Sequence, residues 1–142
     1  MIGLYVIEMT SFSSLPDYMD YRELKKYFIE YLVIYANNTD EKNKYYALDE
    51  LYELSDRQWH TYEIIDEDIK KQLEKYLISV IDLEDEKIMD IILCIIPRVG
   101  LDGVFDYILK NKDNIRNLDV KKNIEESFAE YGLSVNNPYS GM

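Results

Sequence analysis

Residue types that commonly carry chemistry are scarce in this chain. There is one histidine, His60, and one cysteine, Cys94. A Cys-His pair would need a thiol from an Ile/Leu-rich helix to meet an imidazole from a loop, and apolar neighbours raise a thiol's pKa instead of activating it. The string "YLISVIDLEDEKIMDIILCIIPRVG" gathers Asp82, Glu84, Asp85 and Glu86 within five positions. A calcium loop needs alternating acids, then Gly, then a distant Glu, and that order is missing. Glu86 and Asp90, one turn apart, could share a cation. Acids at a helix start, however, complement the positive end of the helix dipole, so the expectation is that Asp82 caps a helix whose first turn holds Glu84, Asp85 and Glu86. No nucleophile elbow, Walker loop, Rossmann glycine set or zincin motif occurs. With 28 acids, a hydrolytic carboxylate pair has too many candidates for any one to stand out. The chain is therefore expected to have no catalytic residues, no metal and no cofactor.

The charge suggests a partner. Twenty-eight acids against 16 Lys and Arg leave a net charge of −12. Such a field repels nucleic acid and anionic membrane and speeds encounter with a cationic protein. From Asp40 to Asp68 ten acids face three bases, whereas from Lys110 to Lys122 five bases face two acids. Tyrosine is the second anomaly: eight of the fourteen lie between Tyr18 and Tyr52. Tyrosine gives large, stiff contact area at low entropic cost, which suits interfaces as well as cores. No apolar run reaches the roughly eighteen residues of a membrane helix. The short apolar N-terminus has no preceding Lys or Arg, against a secretory signal, and the lone cysteine forms no internal disulfide. A cytoplasmic location is the expectation.

The elements that would position these residues read as an all-α chain, a single domain over residues 1–142. Residues 1–15 form an N-terminal arm or short strand. A helix capped by Asp17 or Ser14 buries Tyr21, Leu24, Phe28, Tyr31, Leu32 and Tyr35, spaced three and four apart, and ends at Asn37-Asn38. A second starts at Thr39 and buries Tyr45, Leu48, Leu51, Tyr52 and Ser55. "SDRQWHTYEII" breaks the pattern with β-prone residues and reads as a loop or short strand. A third helix buries Ile65, Ile69, Leu73, Tyr76, Leu77 and Val80. Ile88 to Ile96 is apolar almost all round, hence the most buried helix, with Cys94 inside it; Pro97 ends it and Gly100 allows the turn. Helices over Leu101 to Asn111 and Leu118 to Tyr131 follow, the last closed by Gly132. Residues 133–142 form a tail. Helix pairs entered at Asp66 and at Leu101 start about 35 residues apart, the rhythm of a short HEAT-like α-α superhelix of antiparallel pairs.

The stretch "IDEDIKKQLEKYLISVIDLEDEKIMDIILCIIPRVGLDGVFDYILKN" resembles the small, acidic, HEAT-like immunity proteins of bacterial polymorphic-toxin and contact-dependent growth inhibition systems. The resemblance spans roughly residues 40 to 132. It rests on acid-capped helices, an Ile/Leu-rich buried helix and "GLDGVFDYI" opening the next pair. "KYYALDELYEL", with Tyr45-Tyr46 in acidic company, is analogous to the Tyr-Tyr pair of the four-helix immunity proteins of nuclease bacteriocins. The resemblance implies a protein that binds and neutralises a cognate toxin domain with a basic surface. The alternatives are a DNA-mimic inhibitor of a nucleic-acid-processing enzyme and a helical scaffold binding a basic peptide.

Helical phase then selects a binding face. Opposite the buried set of the second helix lie Tyr46, Asp49, Glu50, Glu53 and Asp56. Opposite that of the first lie Asp20, Glu23, Tyr27 and Glu30. Residues three or four apart share one face of a helix, so each stripe sets a tyrosine among carboxylates. The bland account is a solvated helix face with incidental tyrosines.

Overall fold

The protein is described here as a computed structural model over residues 12–36, 43–132 and 134–139. Among these, six α-helices follow one another: α1 (Tyr21–Tyr35), α2 (Lys44–Trp59), α3 (Glu67–Val80), α4 (Glu86–Val99), α5 (Asp102–Asn111) and α6 (Leu118–Tyr131), with a 3-10 turn at Lys112–Asn114 and no strand. The all-α reading holds. The expected arm or strand falls largely on residues 1–11, and the Asn37-Asn38 stop and Thr39 start on residues 37–42; all of these lie outside the described residues.

Alternate helices run parallel. Along α1 and α3, Tyr21 meets Asp66 and Tyr31 meets Tyr76. Along α2 and α4, Tyr45 meets Asp85 while Tyr52 and Asp56 meet Arg98. Along α4 and α6, Asp90 meets Asn123 and Leu93 meets Tyr131. α1 and α2 lie antiparallel, joined where the Tyr31 hydroxyl donates to the Ala47 carbonyl at 2.7 Å. α4 is central, packed against α2, α5 and α6.

The apolar phases of α1 and α3 bury the residues that the spacing selects: Tyr21, Leu24, Phe28, Tyr31, Leu32 and Tyr35 on one, and Ile69, Leu73, Tyr76, Leu77 and Val80 on the other, with Ile65 just before it. Removing each large side chain from water contributes about 1.5–3 kcal/mol. α1 is capped by Asp20, not by Asp17 or Ser14: its carboxylate accepts the Glu23 N–H at 3.0 Å.

α2 departs from expectation twice. It continues through Ser55, Asp56, Arg57 and Gln58 to Trp59, where a loop or strand was expected. Its buried set is Ala47, Leu48, Glu50, Leu51, Leu54, Ser55, Arg57 and Gln58. Tyr45 is exposed and Tyr52 half-buried, so the real face is rotated from the tyrosine-defined one. β-propensity at Trp59 and Thr61 loses because packing outweighs a weak local preference, and Ser55 back-bonds to the Leu51 carbonyl at 2.7 Å without ending the helix.

The acidic knot is a junction. Asp85, not Asp82, caps α4, accepting the Ile88 N–H at 3.0 Å. Asp82 closes the preceding turn on the Glu84 N–H. Glu84 reaches across to the N–H groups of Arg116 and Asn117 at the entry to α6. Glu74 of α3 does the same for α5, accepting the Gly103 N–H at 2.6 Å. A Cβ at Gly103 would lie 2.7 Å from that carboxylate, so glycine permits the approach. Each carboxylate satisfies N–H groups that a helix start leaves orphaned.

α4 is amphipathic, not apolar all round. Ile88, Met89, Ile92, Leu93, Ile95, Ile96 and Val99 are buried, but Ile91 is half-buried and Cys94 is exposed. Pro97 does not end the helix, which runs on to Val99 and stops at left-handed Gly100 (φ 84°). Proline removes the N–H that would bond the Leu93 carbonyl; the Tyr131 hydroxyl replaces it at 3.1 Å. Gly132 closes α6 in right-handed geometry (φ −55°), so its glycine is not required there by conformation. The described part of the C-terminal segment is no loose tail. Val135 is buried, and Tyr139 stacks on Trp59 while donating to the Gln58 carbonyl at 2.8 Å.

Candidate functional site

The two acid-and-tyrosine stripes meet along α1 and α2, but the chain itself occupies their seam. Phe12 is buried there, its ring edge-on to Tyr27 at 6.0 Å and tilted against Tyr31 at 6.3 Å. Its N–H donates to the Glu50 carboxylate at 2.8 Å. Glu50, expected on the exposed stripe, is only 5 % exposed. The reason is phase: Glu50 sits beside Leu51 and between Ala47 and Leu54, inside the buried arc of α2. Burial pushes its carboxyl above the ordinary range, helped by the charges of Glu53 and Asp49; the Phe12 N–H and Arg57 act the other way.

Arg57 completes the clasp. It is 4 % exposed. One terminal nitrogen donates to the Glu53 carboxylate at 2.8 Å and to the Glu53 carbonyl. The other donates to the Ser13 and Leu15 carbonyls at 3.2 and 2.9 Å, with Asp17 at 3.7 Å. A guanidinium suits this place because its planar fork presents several donors at fixed angles. Thus Glu50 and Arg57, two turns apart on α2, pin the backbone of residues 12–15 to the seam.

Of the nine residues expected to bind a partner, three are engaged in this way: Tyr27 and Glu50 hold Phe12, and Glu53 holds Arg57. Asp20 caps α1. Glu23 pairs with Lys26 at 3.5 Å. Asp56 lies 3.6 Å from Arg98, whose guanidinium covers the Tyr52 ring. Glu30 is half-buried. Tyr46 (41 % exposed) and Asp49 stand at the surface. Beyond the far end of α2, Glu63, Glu67 and Asp68 are also exposed, at the turn into α3. Asp66 is instead tied to Lys25 at 2.5 Å and to the Tyr21 hydroxyl, which hold its carboxyl below the usual range.

The spacing of Ala47, Glu50, Leu51, Leu54, Arg57 and Gln58 carries the true phase. It was hidden because two of its members are charged and the competing arc is tyrosine-rich. Phe12 gave no helical signal at all.

His60 and Cys94 are not brought together in any contact; the His60 ring packs on Tyr18 at 4.8 Å. No group of three or more His, Cys, Asp or Glu that could hold a metal ion occurs among the described residues. No helix among them is long and apolar enough to cross a membrane. Compared with protein-family models, curated proteins and solved structures, the chain matches none.

Proposed function

We propose that this is a binding protein of the immunity type, which neutralises a cognate toxin domain by covering its basic surface. The observation that carries the reading is where the acids lie once the fold has used its share. Asp49 remains at the surface three residues from Tyr46 near the start of α2, and Glu63, Glu67 and Asp68 remain at the surface where α2 turns into α3. They leave unspent acids both on α2 and at the turn into α3, on a chain of net charge −12. A nuclease or similar domain that holds phosphate presents a cationic cleft, and such acids steer onto it through long-range attraction. A surface tyrosine supplies an aromatic anchor. Parallel stacking of alternate helices is the feature of the fold that supports the resemblance to HEAT-like immunity proteins. Tyr27 and Glu50 are better regarded as scaffold, since both hold Phe12.

The experiment is co-expression with the protein encoded immediately upstream, scored for protection of the cell and for co-purification. The expected result is both, with association slowing steeply as salt rises. In Asp49→Lys/Glu63→Lys the on-rate should drop by about tenfold at low salt, with unfolding unchanged. Neither protection nor co-purification, or an on-rate indifferent to both salt and charge reversal, would overturn the reading.

A further inference from the structure

The seam between α1 and α2 holds residues 12–15 through bonds that the main chain of many sequences would make. The Phe12 N–H goes to Glu50, and the Ser13 and Leu15 carbonyls accept from Arg57. The Leu15 N–H closes a turn on the Phe12 carbonyl at 3.1 Å. Two side chains of the segment pack inward: the Phe12 ring against Tyr27 and Tyr31, and Leu15 against the edge of the core. Ser13 and Ser14 are exposed. The seam thus receives a tight turn with an aromatic first residue and an aliphatic fourth.

Glu50 and Arg57 are both buried. In a permanent core, apolar side chains of similar volume are commonly as stable as such charges or more so. In a seat that opens, the same charges are an advantage: water solvates a carboxylate and a guanidinium, so the emptied seam need not collapse. The walls also stand without the occupant. The Tyr31 hydroxyl is bonded to the Ala47 carbonyl across the two helices. Arg57 is aimed by Glu53, whose carboxylate and carbonyl hold one terminal nitrogen. Residues 12–15 belong to no helix, and α1 begins only after its Asp20 cap, so the turn can leave without unwinding either helix. Nor does the turn saturate the seat: the buried Nε of Arg57 has no hydrogen-bond partner, an uncommon state for a buried donor.

We propose that this seam is a binding site for a turn-forming segment of another protein, and that residues 12–15 occupy it in cis and hold it closed in the free chain. The present occupant sets the class of ligand: an aromatic residue with a main-chain N–H for Glu50, and an aliphatic fourth residue whose carbonyl, with that of the second, faces Arg57. Proline is excluded at the first and fourth positions, because it lacks the N–H that bonds Glu50 or closes the turn. The cis turn competes at the effective concentration its tether sets, on the order of mM for a short link. A segment in trans therefore binds the free chain more weakly than it binds an opened seam. The site does not rest on the cationic partner proposed above, and its test does not use that partner.

The probe is the sequence of residues 12–17, FSSLPD, as an N-acetylated peptide with a fluorophore at its C-terminus. It is added to the full chain and to the full-length Phe12→Ala variant, and binding is read by fluorescence anisotropy. Phe12→Ala is expected to bind it with a Kd below about 1 mM, and about tenfold or more tightly than the natural chain does. A peptide with alanine in place of its phenylalanine should bind neither protein. Circular dichroism checks that the variant folds. A second measurement needs no variant: in hydrogen exchange on the natural chain, the Phe12 amide should open about tenfold or more often than the amides of Leu51 and Leu54 within α2. A Phe12 amide that opens only with global unfolding would overturn the proposal. So would a folded Phe12→Ala that binds no peptide up to about 1 mM, or equal binding by both chains. A dimer of the natural chain that Phe12→Ala abolishes would assign the seam to the turn of a second copy and overturn it as well.

Discussion

Tyr131→Phe isolates one hydrogen bond that a proline makes necessary. Within α4, the N–H of residue 97 would ordinarily bond the Leu93 carbonyl, and Pro97 has none. The Tyr131 hydroxyl takes that place at 3.1 Å, while its ring packs on Phe105 at 5.2 Å. Phenylalanine keeps the ring and removes only the donor. Leu93 is buried, and leaving such a carbonyl without a partner costs about 1–3 kcal/mol. Pro97→Ala restores the backbone donor. By itself it gains helix propensity and loses the stiffness proline gives the unfolded chain, so its own sign is a poor test. The cycle removes both terms. In the Pro97→Ala background, Tyr131→Phe should cost less than about 0.5 kcal/mol, giving a coupling of about 1–2 kcal/mol. The assay is urea unfolding of the four proteins with a common m-value. If Tyr131→Phe costs the same in both backgrounds, the hydroxyl does not serve the carbonyl that Pro97 leaves open.

Arg57→Met should destabilise by about 2–4 kcal/mol, because it strips charged donors from Glu53, Ser13 and Leu15 at a buried site; hydrogen exchange should show the Phe12 amide losing protection, and unchanged protection would refute the clasp. Glu50→Gln keeps an oxygen for the Phe12 N–H and removes a charge whose carboxyl burial holds above its ordinary value. A raised folded-state pKa means that ionised Glu50 opposes folding above that value and that the penalty fades as pH falls through it. The variant's stability relative to the natural chain should therefore be greatest near pH 8 and shrink towards pH 5; a constant difference in urea midpoints would refute this. Cys94 is exposed, so a thiol reagent should modify it without prior unfolding, and Cys94→Ser should change stability by less than about 0.5 kcal/mol.

What the sequence made legible follows the strength of the periodic signal. α1 and α3 have apolar residues three and four apart without rivals, and their buried faces match residue for residue. α6 begins and ends at the residues its pattern marks. α2 fails because its tyrosines offered a false arc: a tyrosine at a helix surface keeps its hydroxyl in water and its ring on a neighbour, so hydrophobic spacing counts it as core. Tyr45 does this, bonding the Asp85 carboxylate from an exposed position. The end of α4 failed for a tertiary reason. Proline stops a helix unless something satisfies the freed carbonyl, and that something, Tyr131, lies two helices further along the chain.

The acids show the same limit at the level of function. Composition assigns 28 carboxylates to one electrostatic field, but the fold divides them by task. Asp20 and Asp85 close helix starts, Glu74 and Glu84 tie one helix pair to the next, and Glu50 pins Phe12. Each of these acids bonds backbone N–H groups, so reversing its charge would damage the fold and could be mistaken for loss of binding. The acids on which a binding reading can stand are those whose removal leaves the fold intact. Asp49 on α2 and Glu63 in the turn before α3 fit that description best, whereas Glu67 and Asp68, though exposed, stand in the first turn of α3 where acids favour the helix dipole. The positions that should be mutated first are therefore Asp49, at the edge of the expected stripe, and Glu63, at the turn into α3. The centre of the expected face, at Tyr27 and Glu50, is already occupied by the chain's own Phe12.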